Sequence, residues 1–239
     1  MRKQLITLVA LVMIPAFSFA QTADEVLSKH VAALGGAAKI AAIKTIEQEQ
    51  TMSVQGMNIT AKAAYVVGKS TRSDVSVMGQ QITSVIDGDK GWMINPMMGG
   101  TTAKDLSADE MKMAKGTTEP NMLQLAYLKT NKYPYELVGK EKQGDKDVFN
   151  LKVTRPEGPF NYFIDAVTYR LLGFKGAVDI QGQKGETTGT YSDYKEVEGI
   201  MVPFTSEITA PGMPGTITAK LTKVTFNSTI DPAVFNKPK

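Results

Sequence analysis

Tyr191–Phe204 reads YSDYKEVEGIMVPF, and this stretch sets the period for the rest of the chain. A strand rich in aromatic residues runs to a tight Glu198-Gly199 turn, and a second strand resumes towards Pro203-Phe204. Two extended segments joined through a glycine turn predict a β-hairpin. Working outward, similar segments recur at 134–142, 147–155 (around Gly144-Asp145), 159–164, 169–180, 186–195, 200–209 and 216–226. Upstream, 47–55 and 57–67 pair around Gln55-Gly56, and 69–78 and 80–87 around Met78-Gly79. Gly91 to Asn95 forms a short strand after the Asp87–Gly91 turn. Strands at this spacing, separated by glycine-bearing turns, predict an antiparallel meander.

Helical signals interrupt the strands in two places. Thr22 to Leu34 is predicted to be a helix: Thr22 and Glu25 form a capping box, Leu27, Val31 and Leu34 share a face, and Gly35-Gly36 stops it. A short helical piece, Ala37 to Ile43, follows. After a loop at Pro96–Gly100, Ser107 and Glu110 form a second capping box that opens a helix through Lys115. Helical character restarts at Glu119-Pro120, with Met122, Leu125, Ala126 and Leu128 as its apolar side. The expected fold is therefore α+β, mainly β: a large curved antiparallel sheet with helices covering its concave face, interrupted by a helical insert of about thirty residues.

Residues 1–20 read as a secretory signal peptide rather than as part of this fold. Arg2 and Lys3 precede an apolar core from Leu5 to Phe17, and Ser18-Phe19-Ala20 is a small-x-small cleavage site. Cleavage after Ala20 leaves 21–239 as one domain, exported and soluble. The chain has no cysteine, so it carries no thioether lipid anchor and no disulfide. Removal of Arg2 and Lys3 takes 27 basic residues to 25, against 24 acidic ones. Charges of both signs are interspersed without a basic stripe, which argues against nucleic acid as a partner.

Motifs for catalysis or metal binding do not stand up. His30 is the sole histidine, which excludes Cys-His nucleophiles and multi-histidine metal centres. Gly68-Lys69-Ser70 lacks the upstream glycine of a phosphate-binding loop, where Ala63 stands instead. Asp87-Gly88-Asp89 would place Met98 where a calcium loop needs its bidentate glutamate. Asp109-Glu110 sits in the first turn of a helix, where acids favour the positive end of the dipole. No catalytic residue, cofactor or metal is expected. What is unusual is methionine: six lie between Met93 and Met122 (Met93, Met97, Met98, Met111, Met113, Met122), beside Trp92, the one tryptophan. Methionine is unbranched and polarisable, so surfaces rich in it re-pack around ligands of varied shape.

Four segments bear a resemblance to a known family: the opening helix ending Leu34-Gly35-Gly36, SVIDGDKGWMINPMMG (Ser84–Gly99), YFIDAVTYRLLGFKG (Tyr162–Gly176) and YSDYKEVEGIMVPF. The ending VTFNSTIDPAVFNKP (Val224–Pro238) fits as well. In this order they resemble the LolA-like, outer-membrane lipoprotein-sorting proteins. The resemblance implies an unclosed β-barrel with helices plugging its concave side, and a periplasmic carrier of lipid or lipoprotein acyl chains. An arginine associated with switching in that carrier has no secure counterpart among Arg72, Arg155 and Arg170. On this view Trp92, Met93, Ile94, Met97, Met98, Met111, Met122 and Leu125, with Phe163 and Phe174 from the sheet, border an acyl-chain cavity beneath a helical lid. The expected partners are acyl chains and, transiently, inner- and outer-membrane proteins; the expected state is a monomer. An envelope sensor or adaptor that recognises lipoproteins is the alternative, and a lipid hydrolase is the weakest reading.

Overall fold

The structure, a computed structural model, describes residues 21–114, 118, 120–155, 158–180, 183–213 and 215–238. The signal-peptide segment, Lys115 and Glu119 lie outside the described residues. The first six strands are β1 (Thr45–Val54), β2 (Met57–Val66), β3 (Ser70–Val77), β4 (Gln80–Asp87), β5 (Lys90–Asn95) and β6 (Gly100–Asp105). After the helical insert come β7 (Tyr135–Gln143), β8 (Lys146–Arg155), β9 (Gly158–Asp165) and β10 (Leu171–Ile180). The last three are β11 (Gln183–Val197), β12 (Ile200–Thr209) and β13 (Ile217–Phe226).

All thirteen described strands form one antiparallel sheet in the order β6-β5-β4-β3-β2-β1-β13-β12-β11-β10-β9-β8-β7. Its edges, β6 and β7, are not paired with each other, so the barrel stays unclosed. Register shifts at Glu49/Gln50, Met93/Asn95, Leu137/Gly139 and Leu171/Gly173 mark bulges that bend the strands. The hairpin expected at 191–204 is present. Val197 pairs with Ile200 across Glu198 (φ 52°) and Gly199 (φ 78°), a two-residue turn with both residues in the left-handed region.

The helices are α1 (Ala23–Ala33), α2 (Ala37–Ala41) and α3 (Ala108–Ala114), with 3-10 segments at Pro96–Met98, Asn121–Tyr127 and Pro232–Phe235. Both predicted capping boxes form: Thr22 with Glu25, and Ser107 with Glu110, whose carboxylate accepts from the Ser107 amide at 2.7 Å. The insert is less helical than its sequence suggests. Gly100–Asp105 is not loop or helix but β6, which pairs Trp92 with Asp105 and Met93 with Lys104. Gly99, at φ 77°, reverses the chain after Met98, and the β-branched Thr101-Thr102 run then suits a strand better than a helix.

The alternation of strand side chains divides the core between two faces. On the inner face, Phe149, Leu151 and Val153 of β8 and Phe160, Tyr162 and Ile164 of β9 bury Val26 and Leu27 of α1 with Leu125 and Leu128. Further round the sheet, Ile46, Ile200, Val202, Val224 and Phe226 enclose Leu34, Ile40, Ile43 and Leu123. On the outer face, Val85 and Trp92 pack against Phe235. There the Trp92 indole donates to the Phe235 carbonyl at 3.0 Å, and the Arg72 guanidinium donates to the Val234 carbonyl at 2.8 Å. The C-terminal 3-10 segment is thereby fastened to the back of β3 to β5.

One glycine contact ties the ends of the fold together. The Met201 amide donates to the Leu34 carbonyl at 3.0 Å. A Cβ on Gly35, at φ 124°, would stand 2.4 Å from the Gly199 carbonyl oxygen. The stop after α1 therefore seats directly on the β11–β12 turn, and only glycine fits there.

Candidate functional site

The inner face is filled unevenly. Across β8 to β10 the inward positions are large except Gly176, whose space the Phe160 ring takes, and the rings of Phe160, Tyr162, Phe174 and Tyr191 follow one another at centroid spacings of 6.0–6.4 Å. Across β1, β2, β12 and β13 the inward positions include Ala61, Ala63, Ser206 and Ala219, with Ser73 of β3 beside them. Truncated side chains leave the space above them empty. The result is a cavity of about 240 Å³ between these strands and the start of the Asn121–Tyr127 segment.

Thirteen of the nineteen residues around this cavity are apolar or aromatic, among them Met52, Tyr65, Met122, Tyr191, Phe204, Ile208, Met213, Ile217 and Leu221. Gln48, Gln50, Ser73, Asn121 and Ser206 supply neutral polar groups, and Lys62 is the charged residue of the wall, ion-paired to Glu49 at 3.3 Å. Burial pushes the Tyr65 hydroxyl up to about 12, so it stays neutral. The Gln48 amide nitrogen reaches the Tyr65 hydroxyl only at 3.5 Å. Its carbonyl oxygen, Oε1, is buried with no hydrogen-bond partner among the described residues. A buried acceptor without a donor is costly, and here it sits in the wall of a cavity. The arrangement can hold an apolar group and satisfy one donor. It offers no nucleophile beside a base, and no cluster of His, Cys, Asp or Glu suited to a metal occurs among the described residues.

A polar anchor at Gln124 holds the cover over this cavity. Gln124 is buried beneath the sheet aromatics. Its Nε2 donates to the Tyr191 hydroxyl at 3.1 Å, while its Oε1 accepts from the Tyr162 hydroxyl at 3.0 Å and from Arg155 Nη1 at 2.9 Å. Seven consecutive residues in 3-10 geometry are unusual, because that helix has poorer hydrogen-bond geometry than an α-helix. The segment therefore depends on Gln124 and on the burial of Leu123 and Leu125 more than on its own backbone. Beyond it, a second, apolar groove of about 510 Å³ lies between α1, α2 and the same segment, bordered by Leu27, Val31, Ile40, Ala126 and Tyr127.

The ten residues expected from sequence do not converge on one place. Met122 borders the inner cavity. Leu125 is buried in the core between α1 and the sheet. Met111 is buried against Gly91, where α3 sits on β5. Met93 follows Trp92 and so points to the inner face of β5, whereas Trp92 and Ile94 pack on the outer face with Phe235. Phe163 alternates with Tyr162 and Ile164 and faces outward, under the Lys175 ammonium at 5.9 Å from its ring. Phe174 belongs to the aromatic row and closes over Gly189, where a Cβ would meet it at 2.2 Å. Met97 and Met98 are exposed at the β5–β6 turn. The residues that form the cavity floor carry a period-two signature in the sequence: Gln48-x-Gln50-x-Met52, Ala61-x-Ala63-x-Tyr65, Phe204-x-Ser206-x-Ile208 and Ile217-x-Ala219-x-Leu221. That signal of small and neutral side chains on one face, rather than the methionine density of the insert, marks the cavity.

No protein-family profile matches the chain, and no curated protein matches it in sequence. Solved structures do match in fold. A LolA superfamily protein from Nitrosomonas europaea superposes with a TM-score of 0.61 at 12% identity, covering 91% of this chain and 99% of its own. A DUF1329 family protein from Desulfovibrio piger gives 0.58 at 11% identity, over 89% and 96%. An outer-membrane lipoprotein-sorting protein domain from Vibrio parahaemolyticus gives 0.55 at 17% identity, over 89% and 95%. The chain has a LolA-like fold.

Proposed function

We propose that the protein is a non-enzymatic carrier or binding protein for lipid or lipoprotein acyl chains, exported to the periplasm after removal of residues 1–20. The observation that carries this reading is the inner cavity: apolar walls, a floor of truncated side chains, and a single orphaned acceptor at Gln48. The lipoprotein-sorting domain among the structural neighbours supports the same class of cargo. No helix of the described residues is long and apolar enough to cross a membrane.

An acyl chain of about fifteen methylenes, at roughly 0.8 kcal/mol each, costs on the order of 12 kcal/mol to expose to water. The cavity is too small to enclose a whole chain as it stands, so the Asn121–Tyr127 cover must shift outward to admit one. The Gln48 acceptor then meets a hydroxyl or amide near the head group. The protein's own cover–sheet contacts compete with the ligand, which allows release.

Filling the floor tests the proposal. Ala63→Leu with Ser206→Leu puts side chains into empty space, so the fold should survive, as read by far-ultraviolet circular dichroism. Binding of a fluorescent fatty acid should weaken at least about tenfold, the effect of roughly two methylene groups of lost burial. Undiminished binding by the folded double variant would remove the cavity from the reading.

A further inference from the structure

The antiparallel order places the β1–β2, β3–β4, β5–β6 and β12–β13 turns side by side at one end of the sheet, with the ends of β8 to β11, which carry Arg155, Asp179 and Lys184, continuing that end beyond them. With strands about 4.8 Å apart, these four tips form a rim roughly 35 Å long. Among the described residues, seven large hydrophobic side chains are exposed. Five are methionines, and every one lies on this rim: Met57 (40% exposed) at the first tip, Met78 (80%) at the second, Met97 (53%) and Met98 (80%) at the third, and Met213 (38%) at the fourth.

The same tips lack charge. Residues 50–61, 75–86, 91–103 and 208–219 contain no Asp, Glu, Lys or Arg. At the chain's 21% charged composition, these 49 residues would carry about ten. The turns at the opposite end are the reverse, as Gly68-Lys69, Asp87-Gly88-Asp89-Lys90 and Glu196–Glu198 show. Folding does not require this asymmetry, because both ends of a sheet face water and turn chemistry is satisfied equally well by Asn, Asp or Lys beside glycine.

We infer that this methionine rim is a membrane-contact edge that seats in the interfacial region of a lipid bilayer. Separate protruding tips, about 10 Å apart, fit a soft and disordered layer better than they fit the flat, close-packed surface of a protein partner. Methionine adapts to such a layer. Depth is limited by the backbone: hairpin tips expose peptide groups that need hydrogen bonds, so they stop at the head-group level and do not enter the hydrocarbon core. The charge-free reach from Met57 to Ala61, about 13 Å at 3.3 Å per residue, accommodates that depth. The charges bounding the zones are mixed. Glu49 faces Lys62, Glu207 and Lys220 bound the zone between them, and of the remaining zones one is flanked by Asp74 and Asp87 and the other by Lys90 and Lys104. Attraction to the bilayer is therefore apolar and needs no anionic lipid.

This rim deepens the carrier reading, on which its biological sense rests. Met52, Ile208, Met213 and Ile217 belong both to the cavity wall and to the strand ends beside the tips, so the cavity opens on the rim. An acyl chain drawn from the bilayer can then enter the cavity without crossing bulk water.

The test uses the purified protein with phosphatidylcholine vesicles, read by flotation, and a second, vesicle-free titration with a fluorescent fatty acid. The protein should float with the vesicles, equally in low salt and in molar salt. Met78→Asp with Met98→Asp, at two exposed tips that the fold does not use, should weaken flotation at least about tenfold. The same variant should bind the fatty acid like the wild type. No flotation of the wild type, flotation abolished by salt, or a variant that floats normally would each overturn the rim. So would a variant that converts a dimer to a monomer in light scattering, since the rim would then be a contact between copies. Fatty-acid binding without flotation removes the rim and leaves the carrier reading standing; flotation without fatty-acid binding does the opposite.

Discussion

Gln124→Leu isolates the anchor that holds the cover to the sheet. The substitution nearly conserves volume, so packing of the Asn121–Tyr127 segment changes little, but all three hydrogen bonds to the Gln124 side chain vanish. Tyr191 loses the donor at 3.1 Å and Tyr162 loses the acceptor for its proton at 3.0 Å. Both hydroxyls are buried, and a buried polar group stripped of a partner costs about 1–3 kcal/mol. Part of that is offset by no longer burying the amide itself, so the net loss should be about 2–4 kcal/mol. In a chain of this size that corresponds to a fall in Tm of roughly 5–15 °C. Equilibrium unfolding in urea reads the loss as a lower midpoint at unchanged slope. Tyr191→Phe is the companion variant, leaving Gln124 Nε2 without its acceptor for about 1 kcal/mol. Because both single variants break the same bond, the double variant should be destabilised by less than their sum. A Gln124→Leu protein within about 0.5 kcal/mol of wild type, or strict additivity in the cycle, would refute the anchor.

Two further outcomes follow from other buried contacts. His30 is buried and its Nδ1 lies 2.7 Å from the Tyr169 carbonyl, to which it donates. Burial pushes its pKa down to about 4, against 6.5 in the unfolded chain. Between those values the unfolded state binds the extra proton, so stability present above pH 6.5 is lost as pH falls to 4, by about 3 kcal/mol. Unfolding curves across that range should show the slope in the wild type and a flatter one in His30→Asn; equal slopes would mean that carboxylates alone carry the acid sensitivity. Gly35→Ala should be more damaging than any surface change, because the new methyl meets the Gly199 carbonyl at 2.4 Å at a backbone φ of 124°. A loss above about 3 kcal/mol, or insoluble protein, is expected, and a near-wild-type midpoint would show that α1 and the β11–β12 turn can separate freely.

The order of elements was legible because the turns are chemically explicit. Gln55-Gly56, Met78-Gly79, Gly144-Asp145 and Glu198-Gly199 each close a hairpin, and each strand boundary lies within a few residues of its turn signal. Strand β6 is hidden in the sequence because Met98-Gly99-Gly100 looks like a loop leading into helices, whereas Gly99 supplies the left-handed turn of one more hairpin. The site was less legible for a different reason. A hydrophobic residue shows itself in sequence, but a cavity is made by what is missing, and Ala61, Ala63 and Ala219 read as nothing in particular until their strands are laid side by side. Trp92 illustrates the converse: its neighbours suggested a ligand wall, but its parity on β5 points it at Phe235, and parity depends on knowing which face of the sheet is covered.

The division of the sheet into a filled half and an empty half bears on how such a protein can be stable and still yield. Strands β8 to β10 bury aromatic and aliphatic side chains against α1, so the position of α1 does not depend on whether the cavity is occupied. The Asn121–Tyr127 segment bridges the two halves, with Leu125 in the filled core and Met122 over the empty floor. Moving its Met122 end costs the burial of Leu123, which an acyl chain in the cavity would offset, while Leu125 and the Gln124 anchor resist movement of the other end. A cover hinged this way opens towards β1, β2, β12 and β13, the strands whose tips carry Met57 and Met213 of the methionine rim. The cover should thus be the least stable part of the inner face, with amides of 121–123 exchanging with solvent faster than those of Val26, Leu151 or Ile164, and slowing when an acyl chain is bound.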